Sequence, residues 1–256
     1  MTTFTVPAAA RIAAIVGLVL GAVPSVGAEA KSKPPIPLKE AKLNIEHNAT
    51  DHDTGFQGAI DSEGWKRLDV TDPDGNVVLT FRGRGELGTL GLTELFFETV
   101  EPENADVPID EMLAKLPEGN YTIAGPSMEN GDSAGKTEGT ALLTHTIPAG
   151  PQLISPAADA TIPTIGQVAS WGKVEKTITG DDVNIIAYQL IIEKDTPPHP
   201  HVIGKIGSLS IYVPASVTSI PIPDGFLEPG TSYDWEVLAI EESGNQTLSS
   251  SSFTTQ

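Results

Sequence analysis

The chain has 256 residues, no cysteine and a formal net charge of -19. The absence of cysteine excludes disulfides, zinc–thiolate centres and thiol nucleophiles, so stability must come from packed cores. So acidic a chain is repelled by nucleic acid and by anionic membrane surfaces, which argues against both as partners.

Arg11 is the only charged side chain before Glu29, and IAAIVGLVL (residues 12–20) is an unbroken apolar run followed by GAVPSVGAEA. An apolar stretch followed by small residues is the layout of a secretory signal peptide, expected over residues 1–30 with cleavage after Ala28 or Ala30. The stretch falls short of the ~20 residues that a bilayer span needs. The expected location is secreted or periplasmic, with no transmembrane segment after processing. KSKPPIP (residues 31–37) reads as an extended, Pro-rich lead-in.

From there the texture is short β-prone runs separated by Gly, Pro, Asn and Asp turns. In residues 31–147 the runs are KLNIEH, FQGAI, WKRLDVT, VVLTFR, LTELFFETV, NYTIAG and TALLTHTI. Asp72-Pro-Asp-Gly75-Asn between two of them predicts a hairpin, with Pro and Gly at the turn positions that suit them. One short helix is expected in PIDEMLAKL (residues 108–116), where Pro suits the first turn and Met112, Leu113 and Leu116 share a face. These elements predict an Ig-like β-sandwich.

IPAGP (residues 147–151) marks a second break, and residues 148–256 form the other expected domain. Its runs are QLIS, QVASWGKV, NIIAYQLIIEK, SLSIYVP, SVTSIPIP, SYDWEVLAI and LSSSSFTT. In SYDWEVLAI, Tyr233, Trp235, Val237 and Ala239 alternate onto one face and the acids take the other. Trp171, Tyr188 and the segment Leu227-Glu-Pro229-Gly230-Thr-Ser-Tyr233 together resemble a fibronectin type III domain. The resemblance places Trp171 on the second strand and Tyr188 on the third, with Leu227, Pro229 and Gly230 leading into a tyrosine corner at Tyr233. It implies a fold and names no ligand. LPEGNY, ending at Tyr121, is a shorter echo of the same corner. The fold class is therefore all-β, with two consecutive sandwiches.

Several stretches mimic catalytic or metal motifs. GDSAGKT (residues 131–137) fits G-x-S-x-G around Ser133, but a nucleophile elbow needs a helix after the serine, and here a β-branched run follows. A P-loop needs four residues between its glycines and a helix N-terminus, and neither is present. A hairpin loop is the expectation. His199 and His201 lie in a Pro-flanked stretch without the remaining ligands of a zinc site. His47 and His52, with Asp51 and Asp53, form the one cluster of mixed transition-metal ligand types. His145 reads as a strand residue. Asn48, Asn120 and Asn245 each begin an N-glycosylation acceptor triplet.

The remaining site candidates are Asp51 and Asp53 in NATDHDTGFQ, with Asp61 and Glu63 behind them. Calcium takes about six to eight oxygen ligands, which acidic loops can supply, although the EF-hand pattern fails at positions five, six and twelve. The sequence therefore points to an exported, non-enzymatic binding or spacer protein without a required cofactor, for an unidentified protein or glycan partner. The alternatives are a secreted hydrolase or its accessory module acting through the N-terminal acidic loops, and a calcium-stabilised adhesin-like module.

Overall fold

The computed structural model describes residues 34–129 and 132–256. The expected signal peptide lies outside them. In the first half the elements are β1 (Ile36–Pro37), β2 (Glu40–Asn48), β3 (Asp53–Trp65), β4 (Arg67–Thr71), β5 (Val77–Arg82), α1 (Gly85–Leu90), β6 (Leu92–Glu98), α2 (Ile109–Leu113), β7 (Gly119–Glu129) and β8 (Asp132–Leu143). The second half contains β9 (Leu153–Ser155), β10 (Ala160–Ile162), β11 (Val168–Trp171), β12 (Ile185–Lys194), β13 (Ser208–Pro214), β14 (Ser219–Pro221), β15 (Ser232–Glu241) and β16 (Gln246–Thr255). Among the described residues no helix is long and apolar enough to cross a membrane.

The first sandwich faces the row β6-β3-β2 against the row β5-β4-β7-β8-β1, and the long β3 joins both rows at Trp65. Ile45, Phe56, Trp65, Leu68, Tyr121, Ile123 and Leu143 fill the space between them. The β4–β5 turn closes as its chemistry requires: Asp72 Oδ1 accepts from Asn76 N at 2.7 Å, and Gly75 takes φ +89°. Helix α2 starts after Pro108 and buries Met112. Tyr121 is fully buried and its hydroxyl donates to Pro117 O at 2.8 Å.

The second sandwich packs β14-β11-β9 against β13-β12-β15-β16. Trp171 on β11 and Tyr188 on β12 meet edge to face with ring centroids 5.6 Å apart, and the Tyr188 hydroxyl accepts from Val174 N at 2.8 Å. Tyr233 and Trp235 are buried on β15, as is Leu227 before it. The Tyr233 ring stacks on Phe253 at 5.4 Å, and its hydroxyl accepts from Glu228 N at 2.8 Å. Gly230 makes the Pro229-Gly230 turn with φ +62°. This three-plus-four strand order, with a tryptophan and a tyrosine facing each other across the core, is fibronectin type III-like.

Three local expectations change. The Pro-rich lead-in joins the fold, since Ile36 and Pro37 pair in parallel with Thr137 and Glu138. Residues 132–137 of GDSAGKT form strand rather than loop, because Thr137 turns inward and its Oγ1 donates to Ile36 O at 2.8 Å. His145 lies beyond β8, where its Nε2 is 2.8 Å from Leu116 O and its backbone N donates to Glu118 Oε1. The short α1 and β10 carry too few residues for periodicity to mark them.

The two halves have separate cores, with Ile147 in the first and Ala149 packed against the second. Their sheets nevertheless continue into one another: β16 pairs in parallel with β2 from Gln246↔Glu46 to Leu248↔Asn48. Asn245, 1% exposed, clamps this seam. Its Oδ1 accepts from Ile45 N at 2.8 Å, and its Nδ2 donates to Thr144 O at 3.0 Å and Thr146 O at 2.9 Å. Buried Glu241 accepts from the Asn245 backbone N at 3.1 Å, and Thr247 Oγ1 donates to Pro148 O at 2.6 Å. Asn245 uses both ends of its amide on backbone groups of the other half, so the glycosylation triplet it begins is closed to a glycan. Pro34–Gln256 forms one compact unit.

Candidate functional site

The strand register builds a carboxylate cluster beside this seam. Leu43, Ile45 and Phe56 alternate into the core, so Glu46, Gly55, Gln57 and Glu98 take the outer face. Gln57 pairs with Glu98, Glu46 with Gly55, and Gln246 with Glu46. Beyond β6 the chain keeps following β3. Phe56 N donates to Thr99 Oγ1 and Thr99 N to Phe56 O, both at 2.9 Å, and Glu103 bridges Asp53. Glu101 is thereby laid over Gly55, where a Cβ would come within 2.6 Å of Glu101 Cγ. Glycine is required there by close approach.

Carboxylate oxygens of Glu46, Glu98 and Glu101 lie within 4.8 Å of one another. Gln57 Nε2 donates to Glu98 Oε1 at 2.9 Å, and Gln246 Nε2 donates to Glu46 and to Gln57 Oε1. Among the described residues Glu101 Oε1 and Asp53 Oδ1 are buried without a hydrogen-bond partner. Burial, with the charges of Glu46, Glu98 and Asp53 added, pushes the Glu101 carboxyl up to about 7. Burial also raises Glu46 and Asp53. Carboxylates this close cannot all ionise cheaply, so the cluster holds a proton near neutral pH or exchanges it for a cation.

The sequence candidates Asp51, Asp53, Asp61 and Glu63 do not form one site. Asp51 is exposed in the β2–β3 turn, where Asn48 Nδ2 donates to its Oδ2 at 2.8 Å. Asp53 starts β3 at the edge of the cluster. Asp61 and Glu63 lie eight and ten residues further along that strand, roughly 26 Å and beyond at the usual rise. Glu63 instead pairs with Lys39 at 3.1 Å. Glu46, Glu98 and Glu101 were hidden in the sequence because cross-strand register, rather than spacing along the chain, brings them together.

The histidines are dispersed. His47 turns inward, with Nδ1 3.0 Å from Asp53 O and 2.9 Å from Thr54 Oγ1, and burial lowers its pKa. His52 holds φ +61° in an exposed turn. His199 and His201 are exposed, with rings 5.8 Å apart. Ser133 is exposed on β8, and Lys136 pairs with Glu138 rather than cradling an anion.

No protein-family model matches the chain, and no curated protein matches it. Solved structures do. A two-domain fibronectin type III segment from chicken tenascin aligns at 12% identity over 84% of this chain and 99% of its own, with a TM-score of 0.29. The FN1-FN3 domains of chicken CNTN1 align at 11% identity over 88% of this chain and 66% of theirs, with a TM-score of 0.32. A tetra-tandem repeat from the extending region of a large adhesion protein aligns at 14% identity over 84% of this chain and 49% of its own, with a TM-score of 0.28. The fibronectin type III-like description of the second half rests on its own strand order and corner residues.

Proposed function

We propose that the chain is an exported, non-enzymatic binding or spacer protein, in which two sandwiches are held as one stiff unit and a protein or glycan partner is met by the end loops. The observation that carries this reading is the Asn245 clamp. A spacer needs a fixed relation between its domains, and Asn245 fixes it by satisfying buried backbone groups of the first half from the turn between β15 and β16. Loops at the ends of a rigid sandwich are the usual place for recognition. Export rests on the leader pattern of residues 1–30, and the acidity fits a solvated, extracellular surface. The reading is tested by residual dipolar couplings measured for both halves in solution. One shared alignment tensor is the expected result, and two distinct tensors contradict it.

A calcium-stabilised, adhesin-like module is the second reading, favoured by the carboxylate cluster. Its ligands would be Glu46, Glu98 and Glu101 with Asp53 at the edge, in place of Asp51, Asp61 and Glu63. Three carboxylates supply only part of the about six to eight oxygens that calcium takes, so water would complete the shell. Calcium would then raise the melting temperature above pH 7, where it no longer competes with the proton on Glu101. An unchanged melting temperature removes this reading and leaves the first intact.

A further inference from the structure

We propose that the first sandwich holds a single-chain amphiphile, with its hydrocarbon tail between the two sheets and a monoanionic headgroup at Lys115. A cavity of about 570 Å³ opens there, reaching Leu43, Phe56 and Val70 on the strands and Met112 on α2. That volume is within the roughly 300–1,000 Å³ of small-molecule sites, which are likewise mostly apolar. Among the described residues β5 pairs only with β4 and β6 only with β3, so the sandwich is open between two edge strands there. Val78 and Val100, among its lining residues, are 40% and 86% exposed.

The chemistry of the lining selects the occupant. Thr99 is the only hydroxyl among the lining residues, and it already accepts from Phe56 N. Water held in so apolar a space lacks the two or more polar partners it needs, whereas a hydrocarbon chain loses nothing there. Among the described lining residues Lys115 is the only charged one. Seven of the described lysines pair with an acid, and Lys115 is not among them. Glu118, its neighbour beyond the helix, is engaged by His145 N. In a chain of charge -19, an unpaired ammonium beside an apolar cavity fits an anionic head. Glu111, four residues before it in the chain, disfavours a head with more than one negative charge. This inference is independent of how stiffly the two sandwiches are joined.

The test is calorimetric titration of the full chain with decanoate and with decanol, repeated on Lys115→Glu and Val78→Glu. Circular dichroism and the melting temperature establish that each variant is folded. One decanoate per chain is expected. Lys115→Glu should weaken decanoate by about fivefold, the scale of an exposed charge contact, and leave decanol unchanged. Val78→Glu, which places a charge against the tail, should weaken both. The proposal is overturned if the wild type binds neither ligand, or if more than one decanoate binds per chain. It is also overturned if Lys115→Glu spares decanoate or weakens both ligands equally. A concentration-dependent dimer that Val78→Glu abolishes would make the opening a seat for a second copy of the chain, and would overturn it too.

Discussion

Two buried tyrosines anchor the turns before their strands in opposite senses. Tyr121 donates its hydroxyl to Pro117 O, whereas Tyr233 accepts from Glu228 N, each at 2.8 Å. The sequence pattern placed both rings, because Leu, Pro, Gly and Tyr recur in nearly the same order. It could not give the bond direction, which depends on how each turn aims its peptide. Tyr233→Phe strands an amide donor and should cost on the order of 1–3 kcal/mol. Tyr121→Phe leaves a carbonyl, which tolerates partial satisfaction better and should cost less. Urea denaturation of both variants checks the order, and equal or absent losses contradict it. Glu101 is a second residue-scale case. Its folded pKa of about 7 stands above the ordinary 4.5. The folded state therefore binds the proton more tightly, and its contribution is fully present below about pH 4.5 and lost as pH rises through 7. His47, with a lowered pKa, pulls the other way. Glu101→Gln should remove the loss relative to wild type, read as the difference in melting temperature between pH 5 and pH 8. Parallel pH profiles for the two proteins would rule this out.

At the scale of elements, alternation and turn residues revealed the strands well. VVLTFR and SLSIYVP coincide with β5 and β13 from end to end. What alternation could not reveal was the stretch after β6, where Thr99 to Asn104 keep bonding to β3 without a regular strand pattern. That irregular edge creates the carboxylate cluster, so the cluster was illegible for the same reason. Its dependence on Gly55 gives a direct check. Gly55→Ala drives a methyl against Glu101 Cγ at 2.6 Å and against Thr99 Oγ1 at 3.1 Å. Overpacking of this kind costs about 1–3 kcal/mol. It should also expel Glu101 toward solvent, so the pH dependence should flatten as it does for Glu101→Gln. A variant that keeps both the stability and the pH profile of the wild type contradicts the placement of Glu101. Trp171, Trp235 and Trp65 are buried in the two cores, and among the described residues each leaves its indole Nε1 without a partner.

At the scale of the whole molecule, the IPAGP stretch lies between two cores, with Ile147 in the first and Ala149 against the second. Pro and Gly there mark a break in the chain, and Asn245-Gln-Thr247 fits an N-glycosylation acceptor. The parallel pairing of β16 with β2 closes over the joint and buries Asn245 and Thr247. A contact spanning 200 positions leaves no local signature. The central claim is that this seam makes the two sandwiches one cooperative unit, and differential scanning calorimetry of the full chain and of Asn245→Ala tests it most directly. Removing the amide takes away the bonds to Ile45 N, Thr144 O and Thr146 O, on the order of 1–3 kcal/mol for each buried group left unpaired. The wild type should melt in one transition with equal calorimetric and van't Hoff enthalpies, and Asn245→Ala should split it into two. A wild type that already melts in two separate transitions, or an Asn245→Ala variant that melts as the wild type does, would contradict the account.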